Sequence, residues 1–146
     1  MKKTERERIG EQLLNILAEF AEQDAQASRF GTDTLLYHSE IHLLAFLESH
    51  PRLHQAETAQ ELGLTRGAVS QTVRRLEGKG FLTKRKDPEN CRCNLLCLTE
   101  KGHTACRHHA ALHRRIERRI AGLLAGADEG QLAFLRGFLT QLASLS

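Results

Sequence analysis

The amino-acid sequence predicts a mainly α-helical chain carrying one small β-hairpin. Three observations carry that prediction. Apolar residues recur at helical spacing near both ends. A glycine-punctuated pair of short helices occupies the middle, and the basic stretch after it alternates as strands do around the turn residues DPEN.

From about Thr4 to Ala27, Ile9, Leu13, Ile16, Leu17 and Phe20 line one side of a long amphipathic helix whose other side is charged. RFGTDTLLYHSE follows as a loop. EIHLLAFLESH is apolar all round, which predicts a short helix buried on every side and ended by Pro51. HQAETAQELG and TRGAVSQTVRRLEGKG are two further short helices, and FLTKRKDPENCRCNLLCLT is the hairpin with DPEN as its turn. A long helix runs from Glu100 to about Ala125, and a last one from Asp128 to Leu145.

The 146 residues are enough for one domain or two small lobes. No apolar run approaches the ~20 residues that cross a bilayer, so no membrane partner is expected. The start, MKKTERERIGEQLL, lacks the apolar core of a secretory signal, and a cytoplasmic location is expected. A net charge of +3 says little, but its placement says more. Arg66, Arg74, Arg75, Lys79, Lys84, Arg85, Lys86 and Arg92 crowd the middle of the chain against only Glu77, Asp87 and Glu89, which points to a polyanion.

ETAQELGLTRGAVSQTVRRL meets each demand of a helix-turn-helix. Ala59 is small where two helices cross, Gly63 accepts positive φ in the turn, and Thr65 is placed to N-cap the second helix. Leu62, Leu64, Val69, Val73 and Leu76 are the expected shared core. At 100° per residue the opposite side of the second helix carries Gly67, Gln71 and Arg74, flanked by Ala68 and Arg75, with Arg66 and Ser70 on its other margin. Small residues allow close approach to a major groove, Gln pairs with adenine, and Arg reaches guanine or phosphate. Lys84, Arg85, Lys86 and Arg92 make the hairpin a basic wing for the minor groove or flanking phosphates. Asp87, opposite Arg92, is expected to brace it. The fold class is thus a winged helix-turn-helix with additional helices at both ends.

GLTRGAVSQTVRRLEGKGFLTKRKDPENCRCNLLCLTEKG, with its LE-x-KG-F step, DP-x-N wing tip and closing LTEKG, resembles the winged helix-turn-helix core of the MarR family of bacterial transcriptional regulators. The likeness extends over the flanking helices. It implies a homodimer whose first and last helices interlock, with one winged lobe per subunit. Cys91 departs from the pattern, standing where the family usually has a polar or basic residue. Independently of the family, the first helix and the pattern Leu132, Leu135, Phe138, Leu139, Leu142 on the last would expose large apolar faces unless a second copy covered them. Residues 1–36 and 100–146 are then the dimerisation region and 37–99 the DNA-binding lobe. Two-fold symmetry places recognition helices about 34 Å apart on a near-palindromic duplex operator.

On the fifth helix, Leu112, Ile116, Ile120 and Leu123 define an apolar face into which His109 and His113, four apart, also project. Asp24 interrupts the apolar stripe of the first helix, and His42 interrupts the apolar second. Asp24, His42, His109 and His113 make a four-ligand set suited to Zn²⁺, while the alternative is that each is hydrogen-bonded in a core or at a dimer seam. The zinc-responsive branch of the MarR family, which the chain resembles here, draws ligands from the same helices, with a glutamate where this chain has Asp24. His108 replaces an acid of that branch's second site, and His38 could substitute in either site. The expected effector is a metal or an unidentified small molecule.

Two other readings compete. Cys91, Cys93 and Cys97 would share one face of the wing by alternation, beside Arg92 and Lys86, as in a thiol-based redox regulator. A metal-binding helical protein or enzyme without a DNA role is the other. Glu100-x-x-His103 is one fragment of a di-iron pattern that needs two such pairs, and no phosphate loop, nucleophile elbow or dinucleotide fingerprint occurs, so no enzyme is expected.

Overall fold

The computed structural model describes residues 3–145. Its elements run α1 (Glu5–Ala25), α2 (His38–Ser49), α3 (Gln55–Glu61), α4 (Arg66–Gly78), β1 (Leu82–Lys86), β2 (Asn94–Leu98), α5 (Glu100–Leu123) and α6 (Glu129–Ala143). Among these residues no helix is long and apolar enough to cross a membrane. The chain divides into two compact units, with the boundary after His109 and within α5.

The first unit is built around one core. Leu36, Ile41, Leu44 and Leu47 meet Ala59, Val69, Val73 and Leu76 of the helix pair, Phe81, Leu82 and Leu96 of the hairpin, and Ala105 and Cys106 of α5. The turn between α3 and α4 forms as its residues demand. Gly63 has φ of 63°, in the left-handed region. The Thr65 hydroxyl accepts from the Ala68 amide at 3.1 Å and caps α4. Leu62 is half-buried against the core, whereas Leu64 is 52% exposed and does not join it.

β1 and β2 pair antiparallel from Leu82↔Leu98 to Lys86↔Asn94. The turn is longer than DPEN. It runs from Asp87 to Cys93, closed by the Asp87 amide donating to the Cys93 carbonyl at 3.1 Å. Cys91 and Cys93 therefore sit in the turn and only Cys97 in a strand, so the three thiols do not share a face by alternation. Gly102 lets the first turn of α5 lie on the hairpin entrance, because a Cβ there would fall 2.3 Å from the Phe81 carbonyl oxygen.

α2 is one-sided and not enclosed. It buries Glu40, Ile41, Leu43, Leu44 and Leu47 and leaves His42 exposed. The buried polar residue of this helix is Glu40, because a carboxylate at that position meets cations from α4. α1 carries a capping box at Thr4 and Glu7 but buries none of its residues. Ile9, Ile16, Leu17 and Phe20 stay open. The second unit comprises the rest of α5 and α6, and it leaves Leu112, Ile120, Leu123, Phe134 and Leu139 exposed.

Candidate nucleic-acid interface and metal centre

On α4 the apolar residues Val69, Val73 and Leu76 turn inward, and Thr72 goes with them. Arg66, Gly67, Gln71 and Arg74 are exposed on the other side, with Ser70 half-buried at the margin and Thr65 exposed at the cap. Arg66, Arg74, Arg85, Lys86 and Arg92 form no ion pair among the described residues, so their charges remain available to a polyanion.

Two of the predicted contacts are partly committed to the protein. The Lys84 ammonium lies 2.9 Å from Glu77, which ties β1 to the end of α4. Arg75 donates to Thr72 Oγ1 at 3.1 Å and lies 3.4 Å from Glu40 Oε1. Glu40 is fully buried. Its Oε2 accepts from the Tyr37 amide at 2.9 Å and from Lys79 Nζ at 2.7 Å. The sequence reading did not single out Glu40. Its signal was a lone acid opening an apolar helix, with cations at Arg75 and Lys79 one turn apart.

The expected Asp87–Arg92 brace does not form. Asp87 instead faces His54 Nε2 at 2.7 Å, and the Arg92 amide donates to Asn90 Oδ1 at 3.3 Å. The imidazole reaches Asp87 from the start of α3, closer than the arginine across a seven-residue turn. Asp87 is held below its ordinary 3.8, first by the Glu89 amide and then by His54.

The expected ligands fall into two overlapping groups, Asp24, His38 and His42 and then His42, His109 and His113, and not into one set of four. Asp24, His38 and His42 each offer a ligand atom within 4.8 Å of the others. His38 Nδ1 lies 2.8 Å from Asp24 Oδ2, and the His38 and His42 rings are 4.0 Å apart. His42 also meets His109 edge-on, with centroids 5.1 Å apart, and Phe30 meets His109 edge-on at 5.7 Å. His109 is buried at 9% exposure. His113 follows one turn later on α5, on the same side of the helix. His38, given only as a substitute by the sequence, is thus a full member of the group beside Asp24. Imidazoles with a carboxylate are the donor set that Zn²⁺ favours, and their closeness without covalent linkage fits such an ion.

His38 and His42 have a second aspect. With Leu43, Leu64, Gln71, Thr72 and Arg75 they line a cleft of about 370 Å³ between α2 and α4. The imidazoles near Asp24 therefore stand on the same cleft as Gln71 and Arg75 of α4.

Two other histidines are held locally. His108 packs on Gly31, whose φ of 71° and missing Cβ admit the ring. His103 Nδ1 lies 2.9 Å from Glu48 Oε1. The Cys106 thiol is pushed up to about 12, chiefly by burial and then by Glu48, and is unreactive for that reason.

Comparison with known proteins places these features. The MarR family model matches residues 36–93. A HTH-type transcriptional regulator of Bacillus subtilis, YdgJ, is 28% identical over 74 residues, which is 51% of this chain and 45% of that relative's length. The crystal structure of Streptococcus pneumoniae FabT in complex with DNA is similar over 97% of this chain and 96% of its own, at 26% identity and a TM-score of 0.74. Lactococcus lactis ZitR, a zinc-responsive MarR family member, has the same fold at 22% identity, with a TM-score of 0.76 over 97% of this chain and 98% of its own. ZitR in complex with DNA gives a TM-score of 0.77 at 21% identity, over 98% of each chain.

Proposed function

We propose, from the premise that this chain belongs to the MarR family of DNA-binding transcriptional regulators and is not an enzyme, that it works in the cytoplasm as a homodimer on near-palindromic duplex DNA. Residues 1–36 and 100–146 form the dimerisation region, and 37–99 form the DNA-binding lobe. The exposed apolar side chains of α1 and α6 support this, since a second copy would take them from water. In the major groove, Gln71 and Arg74 read base edges, with Thr65, Arg66, Ser70 and Arg75 at their margins. Lys84, Arg85, Lys86 and Arg92 hold phosphates or the minor groove. The observation that carries this reading is the face of α4, where two small residues and unpaired arginines surround an exposed glutamine.

The effector is Zn²⁺, held by Asp24, His42, His109 and His113 with His38 beside them. When bound, the ion supplies a fixed point that joins residues of α1, α2 and α5. The chain's own residues carry the effect onward. His38 and His42 line the cleft that Gln71 and Arg75 also line. Glu40, two residues before His42, grips Arg75 and Lys79. Constraining α2 therefore constrains α4, and the two recognition helices of a dimer keep or lose their spacing together.

Two measurements test the reading. Fluorescence anisotropy against genomic fragments should show duplex binding that weakens steeply with salt, and Arg74→Ala should reduce it. Metal analysis of untagged protein should find zinc in the wild type and a loss of it in His109→Ala. Salt-insensitive or absent duplex binding would refute the DNA role. Metal-free wild type whose DNA affinity ignores added Zn²⁺ would refute the sensor role alone.

A further inference from the structure

The loop between α1 and α2 carries Phe30 and Gly31, both at positive φ, 43° and 71°. The left-handed region suits glycine, but a bulky L residue is strained there and keeps that conformation only where its surroundings impose it. The surroundings here do so. Ser28 and Leu36 close the loop through backbone bonds of 3.0 and 2.8 Å, and Leu36 is fully buried. Inside that closure the Arg29 carbonyl accepts from the Thr32 amide at 2.9 Å and from its hydroxyl at 2.7 Å. Lys101 of α5 reaches Asp33 Oδ1 at 2.8 Å and Thr34 Oγ1 at 2.7 Å.

The strain places one ring. Phe30 packs half-buried on the core of the first unit and meets the His109 imidazole at a centroid distance of 5.7 Å and an interplanar angle of 73°. His42 meets the same imidazole at 5.1 Å and 70°. The two neighbours differ in chemistry. His42 is itself a ligand in the zinc reading, whereas a phenyl ring has no lone pair to offer an ion and serves only as a wall. The loop touches α5 one residue earlier as well, since a Cβ on Gly31 would fall 2.2 Å from His108 Nε2. An imidazole binds a metal through a nitrogen lone pair in its ring plane. A ring free to turn loses entropy on being fixed by the ion, and a ring already walled loses less.

We propose that Phe30 is a positioning residue for His109: the strained loop holds its ring edge-on against the imidazole and presets that ligand before the ion arrives. This rests on the zinc reading. Removing the phenyl ring leaves every donor in place but His109 less fixed, and zinc affinity falls about tenfold.

The experiment measures zinc affinity by competition with a chromophoric chelator, at one pH, in full-length untagged wild type, Phe30→Leu and Leu98→Ala. Leu98 is the matched control, because it too is half-buried against the core but lies in β2. Thermal melts of the zinc-free proteins place the stability losses of both variants on one scale. Phe30→Leu should bind zinc about tenfold more weakly, and Leu98→Ala as wild type does. With Co²⁺ in place of Zn²⁺, the visible absorption bands, which report ligand geometry, should shift in Phe30→Leu alone. A merely structural role would leave those bands unmoved. If the variant fails to fold, wild type decides by itself: nuclear Overhauser contacts between the Phe30 and His109 rings should be present without zinc and persist with it. Equal zinc affinity in wild type and Phe30→Leu, an equal drop in Leu98→Ala, or no such ring contact would overturn the proposal and leave zinc binding intact. Wild type that takes up neither Zn²⁺ nor Co²⁺ would overturn both.

Discussion

Replacing Lys79 by methionine isolates the most consequential buried charge in the fold. Glu40 is 0% exposed, and Lys79 Nζ reaches it at 2.7 Å, so Coulomb's law at an effective dielectric of about 20 gives ~6 kcal/mol of attraction. Desolvation of the two ions offsets much of that, and what remains visible is the cost of breaking the pair on one side, about 3–5 kcal/mol. Which partner is removed matters. Lys79→Met leaves Glu40 with the Tyr37 amide and a more distant Arg75, and its Oε1 has no hydrogen bond. Glu40→Gln leaves Lys79 with the Leu35 carbonyl at 2.9 Å, the Tyr37 ring and partial access to water. The expected losses are ~4 kcal/mol for Lys79→Met and ~2 kcal/mol for Glu40→Gln. Glu40→Leu combined with Lys79→Met should recover most of the loss. Urea unfolding followed by circular dichroism, at one protein concentration throughout, reads all four proteins. A loss under about 1 kcal/mol for Lys79→Met, or a larger loss for Glu40→Gln, would refute the reasoning.

Two further outcomes follow from local geometry. Gly102→Ala forces a Cβ to 2.3 Å from the Phe81 carbonyl and should cost about 1–3 kcal/mol or more, whereas Gly78→Ala, with nothing within 4 Å, should be neutral or stabilising in a thermal melt. Alkylation at neutral pH should modify exposed Cys91 early and Cys106 only on unfolding. Because Cys106 is raised to about 12 in the folded chain from an ordinary 9.0, its contribution to stability is present below pH 9 and declines as pH rises toward 12.

Local patterning made the element order legible. Helical periodicity, the positive-φ glycine at Gly63 and the Thr65 cap depend on neighbours within a few residues, and each formed as those neighbours require; the hairpin paired as well, but its burial does not alternate, only Leu82 of β1 and Leu96 of β2 being buried. The face of α4 was equally readable, because the inward turn of Val69, Val73 and Leu76 leaves Gln71 and Arg74 outside by rotation alone. The aspartate and histidines on three helices were suggestive for a related reason: polar residues interrupting apolar stripes are visible one helix at a time.

Tertiary structure decided what no local pattern could. His42 looked buried from its apolar neighbours, yet α2 packs on one side only and the buried acid is Glu40, because α4 brings Arg75 and Lys79 to that position from 35 and 39 residues away in the chain. Asp87 looked like a partner for nearby Arg92 and took His54, 33 residues distant. His38 joined Asp24 only once the loop after α1 turned back, pairing Ser28 with Leu36. The physical reason is common to all three. Sequence fixes which groups must find partners if they leave water, but the choice among several suitable partners is made by the packing of elements far apart in the chain.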